Sequence, residues 1–151
     1  MPDLLTHLAA ARVPAAFLRD RRHQALLIAG TFLPDIGTKG LYFVAQAPER
    51  FAAPAHSLVG LLLLCYLAAL FLDVPLRRAG FACLYGGALL HLFLDLLKEN
   101  LGMGSLRPFL PFWPGAVELG WIPTEDVVYF LPFDVGVLLL AWLLERRLRR
   151  A

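Results

Sequence analysis

His91 and Asp95 stand four residues apart in the otherwise apolar run Ala79 to Leu97. On a helix that spacing puts both side chains on one face. An imidazole nitrogen beside a carboxylate oxygen can move a proton or bind a divalent cation. Ionisable groups inside a stretch apolar enough to enter a bilayer are costly, and they mark a site more often than a fold requirement. Three more residues are candidates to join this pair: His7, Asp35 and His56.

Composition defines the solvent these residues see. The chain has 151 residues, 59% hydrophobic and 17% charged, with a mean hydropathy of +0.65. That leaves too few polar groups to coat a soluble globule of this size. The expectation is an all-α integral membrane bundle, one domain over residues 1–151, with four to five helices of up to about 20 apolar residues each. A net charge of +2, with arginines in short clusters, speaks against a nucleic-acid partner. Cys65 and Cys83 lie in apolar runs and read as small hydrophobic residues, not a disulfide framework. The first arginines follow the first apolar stretch, so that segment does not read as a cleaved signal peptide.

Five segments punctuate as helices: Leu4 to Leu18, Gln24 to Ile36, Pro54 to Leu72, Ala79 to Leu97, and Val127 to Leu144, the last interrupted by Pro132 and Asp134. Three basic clusters orient them: Arg19, Arg21 and Arg22; Arg77 and Arg78; and Arg146, Arg147, Arg149 and Arg150. With all three cytoplasmic the alternation closes, the C-terminus is cytoplasmic, and the chain is multi-pass. The segment Lys98 to Asp126 then lies outside as a long loop between the last two helices. Its length, prolines and tryptophans Trp113 and Trp121 fit a cap at headgroup level. Glu118, Glu125 and Asp126 in it read as solvated charges.

This topology puts the polar residues at one depth. Asp35 closes the second helix on the outer side, His56 opens the third, His91 and Asp95 lie near the outer end of the fourth, and His7 joins them if the first helix runs inward. Three imidazoles and two carboxylates suit one divalent ion, zinc above other first-row metals, and the cation offsets the buried charge. Taken singly, His7 reads as an interfacial histidine, Asp35 as a helix terminator, and His56 with Ser57 as a helix cap. The inner halves of the helices, such as Leu61 to Leu70 and Leu138 to Leu144, lack the polar steps that a proton or metal relay would need.

The order Thr6-His7-Leu8, Leu33-Pro34-Asp35, Ala55-His56-Ser57, His91-Leu92-Phe93-Leu94-Asp95 and Arg107-Pro108-Phe109-Leu110-Pro111-Phe112 resembles the YdjM-like family of bacterial inner-membrane proteins. That family is described as membrane-bound metal-dependent hydrolases and is distantly similar to the zinc-dependent phospholipase C and S1/P1 nuclease superfamily. The resemblance implies a helical metal site with His7, Asp35, His56, His91 and Asp95 as ligands. This chain departs from the family in two places. Gly37 stands where many members have a second carboxylate, and Ala52-Ala53-Pro54-Ala55 replaces an Arg-Gly-x-Thr stretch before His56-Ser57.

The chemistry that follows is hydrolysis by a metal-activated water, with Asp35 on its Pro-Asp-Ile-Gly turn as candidate general base. At the outer interface the fitting substrate is a lipid or lipid-linked ester or phosphodiester, and membrane lipid is the expected partner. Arg107 is a candidate phosphate contact. Ser57 and Asp134 are candidates to orient the ligands from behind. The competing expectation is a non-enzymatic membrane protein in which the same residues hold a structural metal or form a polar core.

Overall fold

The computed structural model describes residues 2–40, 53–98, 106–117, 119–123 and 129–148. Glu99, Glu118, Glu125, Asp126, Arg149 and Arg150 lie outside these described residues. Among the described residues the chain forms five α-helices: α1 Pro2–Ala15, α2 Arg21–Lys39, α3 Leu58–Leu70, α4 Val74–Leu97 and α5 Leu131–Leu148. A 3₁₀ turn, Ala53–His56, precedes α3. No strand occurs among the described residues; the one extended pairing is an isolated bridge between Lys98 and Ile122.

Helix limits differ from the sequence expectation for local reasons. Asp20 caps α2 by accepting from the Arg22 amide at 2.8 Å, so the helix begins at the basic cluster instead of after it. Pro75 sits in the first turn of α4 and Pro132 in the first turn of α5, where no intrahelical N–H is needed. Pro132 therefore starts the last helix and does not break it. His56 belongs to the 3₁₀ turn, and Ser57 is the N-cap of α3.

Side-chain size is distributed inside out relative to a soluble bundle. The buried positions are mostly small: Ala9, Ala11, Ala15, Cys65, Ala69, Ala88 and Ala141. Leu62, Leu63, Tyr66 and Leu67 on α3 and Leu139, Leu140 and Leu143 on α5 face outward. Close helix approach through small residues, with bulky apolar groups outside, is what hydrocarbon permits and water penalises. One helix, Val74–Leu97, is long and apolar enough to cross a membrane by itself, while the apolar Leu58–Leu70 has only 13 residues. α2 and α5 are 19 and 18 residues long but carry charge at both ends.

α4 packs on α1, α2 and α3. It meets α2 most closely through Gly30 and Gly87: a Cβ on Gly30 would lie 2.1 Å from the Leu84 carbonyl oxygen, and one on Gly87 2.0 Å from that of Leu27. Along the two helices Leu26 lies by Gly80, Thr31 by Gly87 and Asp35 by His91, so α2 and α4 are parallel. Their C-terminal ends meet one end of the bundle, where α1 and α3 begin. α5 runs alongside α1, tied by Thr6 to Asp134 at 2.7 Å and by Arg12 to Glu145 at 2.8 Å. The chain thus alternates direction helix by helix, with Arg21, Arg22, Arg77, Arg78, Arg146 and Arg147 toward one end. From Arg77 to Asp95 along α4 is about 27 Å at 1.5 Å per residue, close to the roughly 30 Å of a hydrocarbon core.

Candidate metal centre

The C-terminal end of α4 is where helix carbonyls lack intrahelical partners. The long loop supplies them: the amide of Leu119 donates to Leu96, and those of Trp121 and Ile122 donate to Leu97. The same loop reaches the start of α3, where the Leu58 amide donates to Pro108, and Leu106 enters the core beside Leu61 and Leu92. At that turn Ser57 donates through Oγ to the Pro54 carbonyl at 2.8 Å and accepts from the Gly60 amide at 3.0 Å. Its work is to fix the turn that carries His56.

All five residues singled out as ligands converge at this end of the bundle. α1 contributes His7, α2 Asp35, the 3₁₀ turn His56, and α4 both His91 and Asp95. His91 Nε2 lies 2.9 Å from Asp95 Oδ2 and 3.3 Å from His56 Nε2. His56 Nε2 is 3.6 Å from Asp95 Oδ2 and 3.9 Å from Asp35 Oδ1. His7 Nε2 is 3.4 Å from Asp95 Oδ1, and its ring centroid lies 4.2 Å from that of His91. Two overlapping trios, His7 with His91 and Asp95, and Asp35 with His56 and His91, each have their donor atoms within 4.8 Å of one another.

The separations of 3.3, 3.4 and 3.6 Å are near those of neighbouring donors on one small cation. Two donors bound tetrahedrally at about 2.0 to 2.1 Å sit roughly 3.3 to 3.4 Å apart. Two imidazole Nε2 atoms facing each other at 3.3 Å can share one N–H or present both lone pairs to an ion. Burial favours the neutral ring, pushing the His56 imidazole down to about 4 against the opposing attraction of the Asp95 carboxylate. His7 and His91 are each 2% exposed. His91 Nδ1 is buried with no hydrogen-bond partner among the described residues, so that nitrogen does not fix the ring's tautomer.

Two residues that the sequence reading passed over complete the electrostatics. Lys98 Nζ is 2.6 Å from Asp95 Oδ1, and Lys39 pairs with Asp35. Each carboxylate of the cluster thus has its own ammonium. The signal was available, since Lys39 follows Asp35 by four residues and Lys98 follows Asp95 by three, the spacings at which helical neighbours meet. Asp134 is 3% exposed and accepts from Thr6, not from a histidine. It holds α5 against the residue next to His7. Arg107 is exposed, between the buried Leu106 and Pro108, the residue through which the loop meets α3.

Compared with known proteins, residues 1–151 match the family profile described as YdjM inner membrane protein. No curated protein and no solved structure matches the chain.

Proposed function

We propose that this chain, which belongs to the YdjM inner membrane protein family, is a multi-pass membrane hydrolase holding one divalent metal ion, best zinc, among His7, Asp35, His56, His91 and Asp95. The observation that carries the reading is the meeting of three imidazoles and two carboxylates from four separate segments at donor spacings of 2.9 to 3.9 Å. A polar core alone does not call for three histidine rings packed this closely. The arginine-rich end is cytoplasmic, with the C-terminus, and the cluster lies at the outer interface.

When bound, the ion supplies a Lewis acid and a hydroxide at neutral pH. The chain's own residues do the rest. Asp95 is held by His7, His91 and Lys98 and serves as a fixed ligand. Asp35 has a side chain 22% exposed and approaches His56 only to 3.9 Å. It is the more open carboxylate and the one placed to take a proton from water, with Lys39 steadying its charge. The loop from Leu106 to Trp113 lies over the α3 turn and brings Arg107 to the same end, where its guanidinium would meet a phosphate. A lipid or lipid-linked ester or phosphodiester could reach this end from the outer leaflet with its chains still in the bilayer. Gly37, without a carboxylate, leaves a second ion without a donor at that position.

One observation favours a non-enzymatic reading: both carboxylates already have lysine partners, so the cluster is charge-balanced as a polar core. Hydrolysis separates the two readings. Protein loaded with zinc should release product from lipid phosphodiesters or esters, and Asp35→Asn, whose amide oxygen can still face the ion, should abolish turnover while losing less metal affinity than His91→Ala. A fully metallated protein inactive on both classes would leave the polar core or a structural metal.

A further inference from the structure

A second polar site lies at the opposite end of the bundle, built from residues the hydrolase reading does not use. The end of α1, the start of α2 and the end of α5 enclose an open cavity of about 490 Å³. Arg12, Arg21 and Arg146 line it with Gln24, Glu145 and Trp142. Three guanidiniums against one carboxylate leave the groove with two positive charges.

The groups are held in different ways, and that decides what the groove can take. Arg12 is tied to Glu145 at 2.8 Å, which fixes its position and consumes the one negative charge. Arg146 lies over the Trp142 ring, 4.4 Å from its centroid, so its flat face is engaged while its edge can still donate. Arg21 is exposed and opens α2. Below the rim, Trp142, Leu139 and Leu143 form an exposed apolar strip along α5. A cationic rim continuous with such a strip fits a ligand with a phosphate head and a hydrocarbon body. A free anion would use only the rim. Between helices on the cytoplasmic side, basic pockets of this kind receive anionic lipid headgroups.

We infer that the groove between α1, α2 and α5 is a binding site for an anionic phospholipid, with Arg21 and Arg146 on the headgroup phosphate and the acyl chain along α5. The site is independent of any metal at the other end and would stand if no hydrolase activity were found.

The test uses the full chain in nanodiscs of phosphatidylcholine with or without a quarter phosphatidylglycerol, and native mass spectrometry after release. The wild-type protein should retain phosphatidylglycerol in preference to phosphatidylcholine, and Arg21→Gln should weaken retention by about fivefold to tenfold, as expected for one guanidinium at a membrane surface. Arg78→Gln, an exposed change on α4 outside the groove, should leave retention unchanged. Arg146→Gln should act like Arg21→Gln, with circular dichroism confirming that both variants keep their helices. Equal losses in the Arg21 and Arg78 variants would mean diffuse surface charge and overturn the site. A wild-type protein that binds inorganic phosphate through these arginines yet shows no lipid preference would overturn the lipid assignment.

Discussion

Replacing Gly87 by Ala adds one methyl group, and the structure says where it goes. The new Cβ would lie 2.0 Å from the Leu27 carbonyl oxygen and 2.9 Å from the Thr31 amide nitrogen. Cβ atoms in real proteins do not approach within 3.0 Å of such groups. Both obstacles are backbone, so no rotamer change relieves the clash, and α2 and α4 must part by about 1 Å. Overpacking of this kind costs about 1 to 3 kcal/mol. The more telling effect is on the cluster: Asp35 rides on α2 and His91 and Asp95 on α4, whereas metal-ligand distances tolerate only about 0.2 Å. Metal affinity should fall at least about tenfold. Gly86 is the internal control, because a Cβ there meets nothing within 4 Å, and Gly86→Ala should bind metal as wild type does. Elemental analysis of both variants in detergent, with thermal melts read by circular dichroism, gives the comparison. A Gly87→Ala protein with wild-type metal content and stability would refute the view that this helix contact sets the donor spacing.

Three further outcomes follow from the same geometry. Thr6→Val removes the hydroxyl donated to Asp134, whose side chain is buried, so the melting free energy should drop by about 1 to 3 kcal/mol; an unchanged melt would mean that Asp134 finds another partner. His56 should titrate near 4 instead of 6.5 when its ring is followed by NMR in metal-free protein. Because the unfolded ring takes up its proton at higher pH than the folded one, stability is intact above about 6.5, declines as pH falls toward 4 and levels off below it; a midpoint at or above 6.5 would contradict the burial argument. Lys98→Met removes the ammonium beside Asp95, so the metal-free variant should melt lower than wild type, while zinc should raise its melting temperature by more; a smaller zinc effect would mean that the lysine assists binding instead of competing for the carboxylate.

The depth argument that gathered His7, Asp35, His56, His91 and Asp95 was legible because arginines fix helix direction and direction fixes which helix ends meet. His91 and Asp95 were also legible from spacing alone. Other features were hidden for physical reasons. Nothing local distinguishes Gly87 from Gly86, since the difference is which one faces α2. Thr6 and Asp134 are 128 residues apart, so their bond belongs to the packing of α1 on α5. Pro132 looked like an interruption because proline breaks a helix interior, yet it opens a first turn equally well, and the choice depends on where the loop ends. The groove of Arg12, Arg21 and Arg146 draws on two of the clusters used to orient the bundle together with Arg12 from α1. Only the fold shows that they share one cavity.

The central claim, that distant parts of the chain build one metal centre, is tested most directly by metal content. Wild-type protein purified in detergent, equilibrated with zinc and freed of unbound ion, should carry one zinc per chain by elemental mass spectrometry. His91→Ala, which removes the donor shared by both trios, should carry none while keeping its helical content. Equal zinc in the two proteins, or no zinc in either, would contradict the account.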